Sequence, residues 1–187
     1  MNSSISHNIK HRKVAKDVFI TPSLLAKSHI EMIPHKRGDL WLDPCRFSKD
    51  GSYYSQFPDE KDWCEITEEK DFLNYKGKPD IICGNPPYSR LDKWFTKSIE
   101  LNPRVISYLI GINNLTARRL EMFENAGYGL TKIKMIKVFS WFGMSILVVW
   151  EKGKKQIIDY DRIIWRTPIA SGHPSPMSKI PDAVPAP

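Results

Sequence analysis

Between residues 39 and 126, short apolar runs alternate with helical patterns, and that alternation leaves few folds open. Asp39 to Leu42, Trp63 to Ile66, Pro79 to Cys83 and Arg104 to Ile110 read as strands. Helix 91–101 carries Leu91, Trp94, Phe95, Ser98 and Ile99 on one stripe, and a second helix, Ala117 to Ala126, is stopped by Gly127. Strands alternating with helices predict a parallel sheet with helices on both faces, an α/β fold. Lys132 to Phe139 and Ser145 to Trp150 predict an antiparallel hairpin around Ser140-Trp141-Phe142-Gly143 at one edge, with Ile157 to Trp165 as a further edge strand. Upstream, Thr21-Pro22 predicts a helix start, with Thr as N-cap and Pro at the first helical position. Leu24, Leu25, Ser28 and Met32 then follow helical spacing until Pro34.

The chain of 187 residues suits one domain, and 41% hydrophobic residues supply its core. Residues 1–16 read as a flexible basic arm, 17–166 as the folded domain and 167–187 as a Pro-rich tail. No apolar run reaches the roughly 18 residues of a membrane span, and the polar N-terminus lacks the apolar stretch of a signal peptide. Cys45, Cys64 and Cys83 have no paired zinc spacing, so no metal site is expected. Free thiols fit a reducing, cytoplasmic compartment, and Cys64 and Cys83 sit in apolar strands as core residues. A formal charge of +7 suits a polyanionic partner such as nucleic acid. Lys10, His11, Arg12, Lys13 and Lys16 are either phosphate contacts or a solvated arm.

The chemistry sits at the strand ends, which an open α/β sheet gathers into one crevice. Asn85-Pro86-Pro87-Tyr88 follows the strand that ends at Cys83-Gly84. Two prolines fix φ and remove two N–H donors, which leaves the carbonyls of Asn85 and Pro86 as outward acceptors. The Asn85 amide oxygen is another acceptor, and Tyr88 offers a ring for a base to stack on. Such a set grips a planar amino group. After the first strand comes Asp43-Pro44-Cys45, running to Gly51, where the backbone can approach a ligand closely. After the second comes Glu65, twenty-two positions beyond Asp43, the spacing at which a carboxylate accepts from ribose hydroxyls. Asp71-Phe72 adds a carboxylate and a ring for an adenine. In this order, these residues describe a nucleoside-bearing cofactor.

Asn85-Pro86-Pro87-Tyr88 together with Asp43-Pro44 resembles the amino-methyltransferases of DNA, specifically the adenine-N6 enzymes that use S-adenosylmethionine. Over roughly residues 17–150 other segments are similar too. Phe19-Ile20-Thr21-Pro22 resembles the family segment that contacts the methionine end of the cofactor. Asp43-Pro44-Cys45-Arg46 through Gly51 resembles the cofactor loop, and Trp63-Cys64-Glu65-Ile66 and Lys70-Asp71-Phe72-Leu73 resemble the ribose- and adenine-binding segments. The resemblance implies a Rossmann-like class I methyltransferase fold with a C-terminal antiparallel hairpin. One departure stands out: the family loop carries two glycines, and here Phe47-Ser48-Lys49 replaces the first, so that side chains narrow the methionine pocket.

What the resemblance implies about activity is concrete. Asn85 and the carbonyl of Pro86 would bind the two hydrogens of the adenine amino group and stabilise the charge that develops as nitrogen attacks the methyl. Pro87 would hold the turn, and Tyr88 would stack on a base flipped out of the duplex. Phe139, Trp141 and Phe142 resemble a wall of the base pocket, or are a hydrophobic hairpin tip folded into the core. Ser89 is either a substrate contact or the N-cap of helix 91–101. The alternatives are methylation of RNA adenine or of a protein glutamine, or a nucleic-acid-binding subunit that has lost catalysis. With no room for a separate recognition domain, specificity would come from a short site, a homodimer or a partner subunit.

Overall fold

A computed structural model describes residues 19–58, 60–137 and 144–161. Among these residues six strands form one sheet: β1 (Trp41–Asp43), β2 (Lys61–Trp63), β3 (Ile81–Gly84), β4 (Val105–Gly111), β5 (Tyr128–Ile136) and β6 (Ser145–Lys152). Their order is β2-β1-β3-β4-β6-β5. β1 pairs in parallel with β2 and β3, and β3 with β4. β6 runs antiparallel to both β4 and β5 and lies between them. The helices are α1 (Ser23–Ile30), α2 (Leu91–Leu101) and α3 (Ala117–Asn125).

Both faces of the sheet are covered, and the two-residue period of the strands divides the core. Trp41, Ile81, Cys83, Val105 and Val149 pack with Ala26 and Ile30 of α1. Leu42, Ile82, Ile106, Val148 and Trp150 point the other way, into a cluster with Phe95 of α2 and Phe123 of α3. There the Phe123 and Trp150 rings stack 4.1 Å apart. Cys64 and Cys83 are fully buried, as core cysteines should be.

Several local expectations shift. Pro22, not Thr21, occupies the N-cap of α1, and its carbonyl accepts from the N–H groups of Leu25 and Ala26. Leu24 is 83% exposed, whereas Ala26, His29 and Ile30 face the sheet. The reason is His29, whose ring is anchored to Tyr53 and to Ser107 of β4 and so sets the rotation of the helix. The second strand lies earlier than Trp63 to Ile66, because Glu65 leaves the sheet to cap the turn Ile66–Glu68. α2 keeps its expected bounds, but its N-cap position is Arg90 rather than Ser89, which belongs to the turn Tyr88–Arg90. Residues 157–161 form no strand; Ile157 N–H donates to the Leu130 carbonyl at 3.0 Å. The 162–165 part of that expectation lies outside the described residues, as do the basic arm, the tail, and Phe139, Trp141 and Phe142.

No helix among the described residues is long and apolar enough to cross a membrane.

Candidate functional site

β1 and β3 end side by side, and close packing of their ends builds the site. A Cβ on Gly84 would lie 3.0 Å from Cδ of Pro44, so a glycine at the end of β3 lets the Asp43-Pro44 turn lie against it. Two adjoining cavities open there. The larger, about 370 Å³, is lined by Pro44, Glu65, Asp71, Phe72, Asn85, Pro87 and Ser89 among others. The smaller, about 80 Å³, is lined by Thr21, Asp43, Ser48, Gly51 and Tyr53 among others. Phe19, Cys45, Phe47 and Asn85 line both.

Most of the residues singled out from sequence therefore meet. Asn85 stands at the junction, half-buried, with its Nδ2 donating to the carbonyl of Phe19 at 3.3 Å. Its backbone carbonyl is not an open acceptor: the Cys45 thiol donates to it at 3.0 Å. Pro86 is buried and Tyr88 packs against the core cluster beside α2; neither lines a cavity, and Pro22 lies outside both. Burial pushes the Tyr88 hydroxyl up to about 12.

The carboxylates divide their work. Glu65 is buried, and both its oxygens are engaged: Oε1 accepts from the N–H and hydroxyl of Thr67, and Oε2 accepts from Phe47 N–H at 2.7 Å. Asp71 caps the turn Phe72–Asn74, with Oδ1 accepting from Leu73 N–H. Phe72 is buried against Trp94, ring centroids 5.5 Å apart. Asp43 is buried; desolvation raises its pKa to about 7, against N–H donors from Cys45 and Tyr54 and the nearby Arg46 charge. Burial pushes the Cys45 thiol well above its ordinary value, so it remains a protonated donor.

Sequence reasoning missed Thr67 and Trp94 as lining of the larger cavity, whereas Phe19 and Ile66 fall within segments it had singled out. It also missed a buried relay below the smaller one. Ser107 Oγ donates to the Val148 carbonyl, so it accepts from His29 Nε2–H; His29 Nδ1 then accepts from the Tyr53 hydroxyl. Burial lowers the His29 pKa to about 3.

Asp43 and His29 give stability opposite pH dependences. The Asp43 contribution is full below its ordinary 3.8 and is lost as pH rises through about 7. That of His29 is full above 6.5 and is lost as pH falls through about 3. Between 3.8 and 6.5 they offset each other. In Asp43→Asn the His29 slope stands alone. Relative to the parent, the variant gains roughly a factor of ten in its folding equilibrium per pH unit across that window. Urea unfolding of both proteins at several pH values between 4 and 6 measures this; a pH-independent difference rules out the raised Asp43.

No family model and no curated protein sequence matches the chain. Solved structures do match in fold. The magnesium protoporphyrin IX methyltransferase of Synechocystis aligns with a TM-score of 0.54 at 11% identity, over 70% of this chain and 79% of that one. A precorrin-6y C5,15-methyltransferase from Geobacter metallireducens aligns at 0.51 and 12% identity, over 78% and 95%. A methyltransferase from Pyrococcus furiosus aligns at 0.51 and 15%, over 73% and 85%. The sheet order and these likenesses define a Rossmann-like methyltransferase fold.

Proposed function

We propose that this chain transfers a methyl group from S-adenosylmethionine to the exocyclic N6 of adenine in DNA. The observation that carries the reading is the place of Asn85-Pro86-Pro87-Tyr88. It follows β3 directly, and Asn85 lies where a nucleoside-sized cavity meets a smaller one lined by Asp43. The fold's solved relatives support the cofactor: the Synechocystis enzyme was crystallised with S-adenosylmethionine bound.

The donor set fits that cofactor. Asp71 and Phe72 would take its adenine, and Glu65 and Ile66 border the space for its ribose. Asp43, a buried carboxyl with a raised pKa, is a group that an ammonium would return to its ionised form. Thr21, Cys45 and Gly51 border the same smaller space, and Pro44 lines the larger one. When bound, S-adenosylmethionine supplies an electrophilic methyl. The chain's own residues do the rest. The amide oxygen of Asn85, which lines both cavities, accepts an amino hydrogen of adenine and offsets the positive charge that grows on nitrogen; the carbonyl of Pro86, a residue buried in this structure, would join it only if the turn shifted. Holding the base in line with the methyl replaces an encounter by a fixed geometry. The cationic chain suits DNA as the polyanion, with a second copy or a partner subunit completing recognition.

Nucleoside mass spectrometry tests this after incubation with methyl-labelled cofactor and DNA, RNA or glutamine peptides. Label is expected in N6-methyladenine from DNA. Label confined to RNA or glutamine would replace the substrate, and label in none would overturn the enzyme reading. A second reading, a nucleic-acid-binding module without catalysis, draws on the small methionine-side cavity and the Cys45 bond to Asn85. It requires that calorimetry detect no cofactor binding.

A further inference from the structure

Phe47 has a left-handed backbone, with φ of 67°. Large L-residues avoid that region, and glycine adopts it freely. The strained residue is also 49% exposed, so core packing alone does not hold it there. Its N–H is held by Glu65 Oε2 at 2.7 Å, and its neighbour Ser48 donates its N–H to the Arg46 carbonyl at 2.8 Å. Phe47 lines both cavities, the one of about 370 Å³ and the one of about 80 Å³.

These facts converge on one role. We propose that Phe47 is a specificity-determining gate, which lets the cleft take an adenine nucleoside freely and restricts entry of the amino-acid arm attached to it. The inference rests on the cofactor reading above. Glu65 links the two halves. A ribose hydroxyl bonding to its carboxylate competes with the Phe47 N–H, the hydrogen bond that holds the strained backbone. A nucleoside in the larger cavity therefore loosens the latch, and Phe47 then turns out of the junction to admit the arm. Other loop contacts are not made to depend on Phe47: Arg46 remains tied to Glu68 at 2.7 Å and lies 3.5 Å over the Trp63 ring.

The test compares adenosine with S-adenosylhomocysteine, which adds the amino-acid arm. Isothermal titration of the full chain is run for the parent, Phe47→Ala and Phe47→Gly. Ala removes the ring and keeps the strain; Gly removes both. The gate requires the affinity for S-adenosylhomocysteine to rise at least about tenfold relative to that for adenosine in both variants, a change of about 1.4 kcal/mol in the difference. An unchanged ratio of the two affinities in both variants overturns the gate and leaves the cofactor reading standing. A gain in Gly alone also overturns it, because strain and not the ring would then control entry. Failure of all three proteins to bind either ligand overturns the gate and the cofactor reading together. Thermal unfolding of each variant establishes that the titrated protein is folded.

Discussion

Asn85→Ala is expected to lower methyl transfer to adenine by about a hundred- to a thousand-fold, the usual cost of removing one preorganised group that meets developing charge. The substitution removes the amide oxygen and leaves the Pro86 carbonyl. It also removes the Nδ2 bond to the Phe19 carbonyl, so residues 19–21 lose one tie across the cleft. That tie is a single exposed hydrogen bond, and the fold should keep its thermal midpoint to within a few degrees. Asn85→Asp separates the two roles. It keeps an acceptor for the amino hydrogens but sets a carboxylate against the Phe19 carbonyl. It should retain more activity than the alanine variant if acceptance drives the reaction. Initial rates with labelled cofactor measure both. Parental activity in Asn85→Ala would remove Asn85 from the chemistry.

Gly51→Ala is expected to disable the cofactor loop. A Cβ there would overlap the Arg46 carbonyl oxygen and lie 2.7 Å from Arg46 Cγ, and neither can retreat cheaply. Arg46 is buried, paired with Glu68 and stacked over Trp63. Gly51 is itself held at both ends, its N–H by the Ser48 carbonyl at 3.0 Å and its carbonyl by Ser55 N–H at 3.1 Å. Overpacking of this kind costs about 1–3 kcal/mol. The displaced loop also carries Phe47 and borders Asp43, so binding of S-adenosylhomocysteine should fall along with stability. Urea unfolding and calorimetry read the two effects. Parental values in both would show that the loop opens without resistance.

The two helices with strong apolar stripes were legible in the sequence because their burial is local. Leu91, Trp94, Phe95 and Ser98 repeat at helical spacing and all are buried. Thr116 caps α3 by accepting from Arg119 N–H, and Gly127 at φ 82° follows its end. α1 was legible as a helix but not in its orientation. The residue that orients it, His29, has partners 24 and 78 positions away, which no local pattern reveals. The edge strand β2 was misplaced for another reason. Lys61 and Asp62 are polar and Lys61 is exposed, so the strand depends on pairing with β1 rather than on its own composition. At the site, the motifs located Asn85, Asp43, Glu65 and Asp71 because strand ends converge in any such sheet. The engagement of Glu65 with Phe47, and of Cys45 with Asn85, depends on loop conformation and carries no sequence signal. The missing glycine did mark Phe47, though not its backbone angle.

The place of β6 between β4 and β5 bears on how the chain is made. Among the described strands Ser145–Lys152 comes last in sequence, yet it lies between two that precede it and is the only strand that pairs with β5. Until it emerges, Val105–Gly111 and Tyr128–Ile136 each present a free edge, and β4 is almost wholly apolar. An unpaired apolar edge recruits strands from other chains. A nascent chain halted before residue 145 should therefore cluster through β4, and a synthetic 145–152 peptide should suppress that clustering by filling the gap. Pairing of Ser145–Lys152 covers the apolar edge of β4 and leaves β2 and β5 as the outer strands of the sheet.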